Sequence, residues 1–245
     1  MTVEEVLRRM RALPIRDLNA IIGDTHAVIL APHPDDESLG CGGLIAAACD
    51  RGWPPHVVFV TDGTGSHTRS VLFPPDRLRA TREAEAAAAL RELNLTRRHT
   101  SFLRLPDTAA PHRGVRFNQA VAAIAGVARH RRCGTILAPW RHDPHGDHLA
   151  AHLMAVAIAR RLRIRHLSYP VWGWALPASA PLNERVRGAR LNIGPYLNAK
   201  RRAIAAHASQ HGKLITDDPD GFRLSPAMLA IFDVPFEVFL ENDGV

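Results

Sequence analysis

Short, continuous apolar runs alternate with long helical stretches, and nearly every run stops at a cluster of polar residues. No other feature constrains the fold of this 245-residue chain so strongly. Ala27–Ala31 (AVILA) is apolar at every position, as expected of a strand buried on both faces. His56–Thr61 (HVVFVT), Ser101–Leu105 (SFLRL) and Thr135–Pro139 (TILAP) read as further strands, and Phe236–Leu240 (FEVFL) as a last one. Helices are predicted over Ser38–Asp50, the alanine-rich Pro75–Leu95, Val115–Arg132 and His148–Leu162. Two more are predicted at Val3–Leu13, closed by Pro14, and near Tyr196–Ser209. Strand and helix in turn give a parallel sheet with helices on both faces.

The expected fold class is therefore α/β, a Rossmann-like and mostly parallel sheet. Residues 1–245 read as a single domain with its core at about 24–168. After about Ser168 the alternation loosens, and residues 169–245 read as a C-terminal elaboration of that domain. In such sheets ligands sit beyond the carboxyl ends of the strands. Four polar clusters follow the first four strands: PHPDDE, TDGTGSH, LPDT and PWRHDPHGDH. Strand geometry would bring them to one edge of the sheet.

Composition narrows the functional classes. No apolar run approaches the 18 residues of a membrane span, and MTVEEVLRRM lacks the apolar stretch of a signal peptide. Cys41, Cys49 and Cys133 form no CxxC pair, which suits a reducing cytoplasm; a soluble cytoplasmic protein without stable membrane insertion is expected. The net charge of +7 suggests an anionic partner, but of 31 basic residues only Lys200 and Lys213 are lysines. The arginine clusters 129–132 and 160–165 lie on helix-like segments, where a solvated face is the ordinary explanation. Aromatics make up 6% and do not interleave with the arginines, so no nucleic-acid partner is expected.

The chemistry concentrates in two clusters. His33, Asp35 and Asp36 share a tight loop stiffened by Pro32 and Pro34. A His and an Asp three apart at a helix start can chelate one ion while Asp35 projects elsewhere. Either His145 or His148 can supply a third ligand. Imidazole and carboxylate donors suit Zn²⁺, and three protein ligands leave one position for water, as hydrolysis requires. A free carboxylate beside that water can take its proton. Helix capping alone is the alternative reading of Asp36, which the second motif disfavours, and Asp147 can serve both as a cap and in the site.

Ala31–Glu37 (APHPDDE) together with Pro144–His148 (PHGDH) resembles the PIG-L, or LmbE-like, family of zinc-dependent de-N-acetylases. LGCGGLIA at 39–46, VTDG at 60–63, TREAEAAA at 81–88, LPD at 105–107 and AHASQ at 206–210 extend the resemblance along the chain. The resemblance implies one zinc ion per chain, bound by His33, Asp36 and His148. Asp35 would be the general base. His145 would stabilise the oxyanion or protonate the leaving amine, and Asp147 would orient His145. Arg82, Asp107 and His207 are implied near the substrate, an N-acetylated amino sugar. A different amide, such as a thiol-conjugate, and a non-catalytic sugar- or metal-binding module are the alternatives. Trp172 and Trp174 suit a sugar face or the core equally well. Cys41, among glycines, reads as packing, and His112, His142, His152 and His211 as surface or packing residues.

Overall fold

The computed structural model describes residues 1–212 and 214–242. Helix α1 (Val3–Arg11) is followed by the two-residue strand β1 (Ile15–Arg16) and helix α2 (Leu18–Ile22). Four strand–helix units come next: β2 (His26–Ala31) with α3 (Asp36–Asp50), β3 (His56–Thr61) with α4 (Pro75–Glu92), β4 (Thr100–Leu105) with α5 (Gly114–His130), and β5 (Cys133–Pro139) with α6 (Gly146–Leu162). Then follow β6 (Arg165–Tyr169), β7 (Gly188–Asn192), α7 (Leu197–Ala206), α8 (Pro226–Phe232) and β8 (Phe236–Glu241).

All eight strands join one sheet in the order β1-β7-β8-β6-β5-β2-β3-β4. Strand β8 pairs antiparallel with β6 and β7, and every other pairing is parallel. The expected mostly parallel α/β sheet is the one observed. Alternate residues of β2 face opposite cores. Ala27, Ile29 and Ala31 pack with Leu44, Ala86 and Leu90 on the α3–α4 side, whereas Val28 and Leu30 pack with Ile124 and Met154 on the α5–α6 side. A strand covered twice has no solvent face to mark with polar residues, hence the unbroken AVILA.

Three strands escaped the sequence reading. β6 (RHLSY) is largely buried, but its histidine and serine interrupt the apolar run; the Ser168 hydroxyl donates to Asn242 Oδ1 at 3.2 Å. β7 (GARLN) and β1 are short and only partly buried, so neither presents an apolar run. Two helix starts also shift. α3 begins at Asp36 rather than Ser38, and α6 at Gly146 with His145 as its N-cap. No helix among the described residues is long and apolar enough to cross a membrane.

Tyr169, at the end of β6, ties the sheet to α3. Its hydroxyl donates to the Leu30 carbonyl at 2.6 Å, and its ring lies where a Cβ on Gly40 would stand 2.2 Å from Cδ2. Gly40→Ala should therefore overpack this joint and lower stability by about 1–3 kcal/mol. Gly126→Ala, at an α5 position with open space around it, should raise stability by about 0.5–1 kcal/mol. Urea unfolding of the two variants checks both signs.

Candidate metal centre

The chain runs from β2 outward to β3 and β4, then returns to place β5 on the other side of β2. The order therefore reverses between β2 and β5, and ligand sites in open α/β sheets form beyond the strand ends at such a point. The loop after β2 carries His33, Asp35 and Asp36; the loop after β5 carries Asp143, His145, Asp147 and His148. Sequence segments more than a hundred residues apart meet here because of strand order.

Asp36, fully buried at the start of α3, is the centre of the cluster. Its Oδ2 lies 3.2 Å from His33 Nδ1 and 3.2 Å from His148 Nε2, and accepts the His33 backbone N–H at 2.9 Å. Each imidazole is held from behind by carboxylates. His33 Nε2 donates to Asp147 Oδ2 and Asp107 Oδ1, both at 3.1 Å, and His148 Nδ1 donates to Asp143 Oδ2 at 2.9 Å. Asp36 Oδ1 and His148 Nε2 are buried without a hydrogen-bond partner. Two imidazole nitrogens and a carboxylate thus converge, two of their atoms are left unsatisfied, and the far side of each ring is anchored as in metal-binding histidines. These residues fit a zinc ion. Two groupings bring one ligand atom per residue within 4.8 Å of each other: His33 with His145 and His148, and His33 with Asp107 and Asp147. His148 is fully buried against Asp36, whereas the His145 side chain is 35% exposed.

Electrostatics follow from burial and crowding. Burial raises the Asp36 carboxyl, but the two histidines outweigh it and hold the group well below the usual carboxylate range. Burial lowers His148, but Asp36 and Asp143 overcome it and lift its pKa to about 9. Burial also lowers His33, yet Asp107, Asp147 and Asp36 raise it well above its ordinary value.

Asp35 is set apart from this cluster. It takes a φ of 149°, a strained conformation for a residue with a side chain. Its N–H donates to Glu37 Oε2 at 3.0 Å, and Glu37 Oε1 accepts from Ser38 Oγ at 2.6 Å and His207 Nε2 at 3.0 Å. Buried Arg82 bridges the neighbouring loops: its guanidinium donates to the Gly63 carbonyl at 2.9 Å, the Pro34 carbonyl at 2.8 Å and Asp35 Oδ2 at 3.2 Å. Burial lifts the Asp35 carboxyl to about 7, with Arg82 acting in the opposite direction.

An open cleft leads to the cluster. His33, Asp35, Arg82, Asp107 and His145 line it, with Trp172 and Phe222 forming an edge-to-face wall at 5.6 Å between ring centroids. Asp107 is fixed there, since its Oδ2 also accepts the Gly65 N–H at 2.7 Å. Asp147 meets His145 through its backbone: its N–H donates to His145 Nδ1 at 3.2 Å, while its carboxylate stands 4.0 Å away and accepts from Thr108 N and Ala110 N. His207 does not line the cleft; it lies behind the loop, on Glu37. Trp174 is likewise turned away, with Arg11 over its ring. Sequence reasoning passed over Glu37 and Asp143, although both sit inside the quoted motifs.

The family model named PIG-L, GlcNAc-PI de-N-acetylase, matches residues 28–159, a span holding both loops, Arg82 and Asp107. The chain belongs to the PIG-L family. Among its relatives is a 1D-myo-inositol 2-acetamido-2-deoxy-alpha-D-glucopyranoside deacetylase of Rhodococcus erythropolis, 26% identical over 251 residues, covering 79% of this chain and 82% of the relative. The N,N'-diacetylchitobiose deacetylase of Pyrococcus horikoshii superposes with a TM-score of 0.65 over 91% of this chain and 86% of the other, at 20% identity. GalB, the 4-carboxy-2-hydroxymuconate hydratase of Pseudomonas putida, shares the fold as well, with a TM-score of 0.60, 20% identity and coverage of 76% and 80%. The fold alone therefore does not choose the reaction. The expected membership of a de-N-acetylase family is borne out.

Arg82→Met should cost on the order of 3 kcal/mol, because it leaves two carbonyls and the buried Asp35 without their donor. Chemical denaturation checks this; a change below about 0.5 kcal/mol, the scatter of ordinary surface substitutions, contradicts the bridging role.

Proposed function

We propose that this PIG-L chain is a zinc-dependent hydrolase that removes the N-acetyl group from an N-acetylglucosaminyl-type sugar. The observation that carries the reading is the pairing of two unlike carboxylates: Asp36 locked between two imidazoles, and Asp35 beside it, facing the cleft. A zinc ion held by His33, Asp36 and His148 supplies a Lewis acid and makes water beside it more acidic.

The remaining work falls to side chains around the cleft. Asp35, with its pKa lifted to about 7, takes the proton of the attacking water and returns it to the leaving nitrogen. Arg82 and Glu37 hold Asp35 in its strained conformation for that task. His145 accepts the Asp147 N–H at Nδ1, so its proton sits on Nε2. Burial depresses its pKa and favours the neutral ring. The Nε2–H can then donate to the carbonyl oxygen as negative charge develops on it. Trp172 and Phe222 offer an apolar wall to a sugar face, and Asp107 offers its carboxylate to hydroxyls. The Rhodococcus and Pyrococcus relatives are both named for substrates with acetamido-sugar groups, which supports the substrate class.

Asp35→Ala should keep its zinc but lose at least about 10²-fold in turnover. His148→Ala should lose both zinc and turnover. Metal analysis combined with acetate release from N-acetylglucosaminyl conjugates reads both, and wild-type acetate release by Asp35→Ala would overturn the assignment of the base. In the same assay, Trp172→Ala should raise KM roughly 3–10-fold. Trp174→Ala should leave KM unchanged.

A further inference from the structure

The metal centre and the aromatic wall of the cleft are joined through one side chain. Asp143 lies between β5 and α6 with its carboxylate fully buried. Its Oδ2 accepts from His148 Nδ1 at 2.9 Å. The same carboxylate accepts three consecutive backbone N–H groups from the turn after β6: Val171 at 3.0 Å, Trp172 at 3.2 Å and Gly173 at 2.8 Å. No arginine or lysine pairs with it among the described residues, so its charge is met by one imidazole and three amides. Gly173 is what lets the turn come this close. A Cβ there would stand 2.7 Å from Asp143 Oδ1 and 2.6 Å from Trp140 Cε3.

We propose that Asp143 is a positioning residue that fixes the metal ligand His148 and the substrate wall at Trp172 together. By accepting the Nδ1 proton, it leaves the Nε2 lone pair of His148 free to ligate a metal beside Asp36, and it sets the plane of the ring. By gathering the three amides, it holds the 171–173 turn, which presents Trp172 to the cleft. Neither effect requires Asp143 to touch substrate. A single carboxylate serving both sites makes their geometries interdependent: a displacement of the turn alters the hydrogen bond that orients His148. The inference rests on the zinc reading above and adds a residue to it.

The test measures zinc affinity by competition with a chromophoric chelator, on full-length protein, for wild type, Asp143→Asn, Gly173→Ala and Glu184→Gln. Glu184 is the control. It accepts from Trp140 and Arg141 on the same loop but makes no contact with His148. Asp143→Asn should weaken zinc binding about 10–100-fold while its circular dichroism stays native, and should also raise KM in the zinc-saturated enzyme. Gly173→Ala, which leaves every polar group in place, should shift both quantities in the same direction. Glu184→Gln should leave zinc affinity at the wild-type value. A folded Asp143→Asn that binds zinc as wild type does overturns the proposal, as does a Glu184→Gln that loses affinity equally. Should Asp143→Asn fail to fold, Gly173→Ala decides by the same two readings. Wild-type protein that takes up no zinc overturns the metal reading itself, a result distinct from equal binding by wild type and variant.

Discussion

A carboxylate with no exposure to solvent stays ionised only where polar or cationic groups surround it closely. Asp36 is such a carboxylate, and the architecture around it supplies the compensation: the His33 amide and two imidazoles, brought from two loops at the switch point of the sheet. Those imidazoles require partners in turn. Asp107 and Asp147 bring in the loop after β4, and Asp143 brings in the turn after β6. Four strand ends are thus tied to one buried charge. Unless a cation shares it, this concentration of acids and imidazoles is costly to bury.

Asp35 and Asp36 show how adjacent residues acquire different chemistry. One forms the first turn of α3 and is fixed between histidines. The other is forced to a positive φ, held by Glu37 and Arg82, and faces the cleft. The backbone strain at Asp35 lets neighbouring carboxylates point to different places. Glu37 sustains it from behind, with His207 on its far side. His207 therefore bears on the site through the loop conformation, from a position outside the cleft.

Much of this was legible in the sequence. The buried strands β2, β3 and β5 announced themselves by unbroken apolar runs, and strand order alone carried their polar ends to one place. His33, Asp35, Asp36, His145 and His148 were readable from residue type and spacing at those ends. The less legible parts depend on pairings across long separations. β6 was hidden because a buried histidine and serine interrupt its apolar run. Asp143 stands five residues before His148, and an acid so near a histidine of the PHGDH motif was the signal available, but its amide partners lie 28 to 30 residues further on. Buried Glu237 accepts the Gly43 and Leu44 amides of α3 and pairs with Lys200 at 2.8 Å, a contact spanning almost the whole chain that no local pattern reports. Trp172 and Trp174 are two residues apart with opposite fates, since one faces the cleft and the other packs beneath Arg11. Turn geometry decides between them, and composition does not.

The proposed position for one metal ion is the point where Asp36 meets His33 and His148. Anomalous X-ray diffraction at the zinc edge, from crystals of the zinc-loaded protein, tests it most directly. The expected result is one strong peak at roughly 2.0–2.2 Å from Asp36, His33 and His148, with Asp35 outside bonding distance. A peak among His33, Asp107 and Asp147 instead, or none near Asp36, would contradict it.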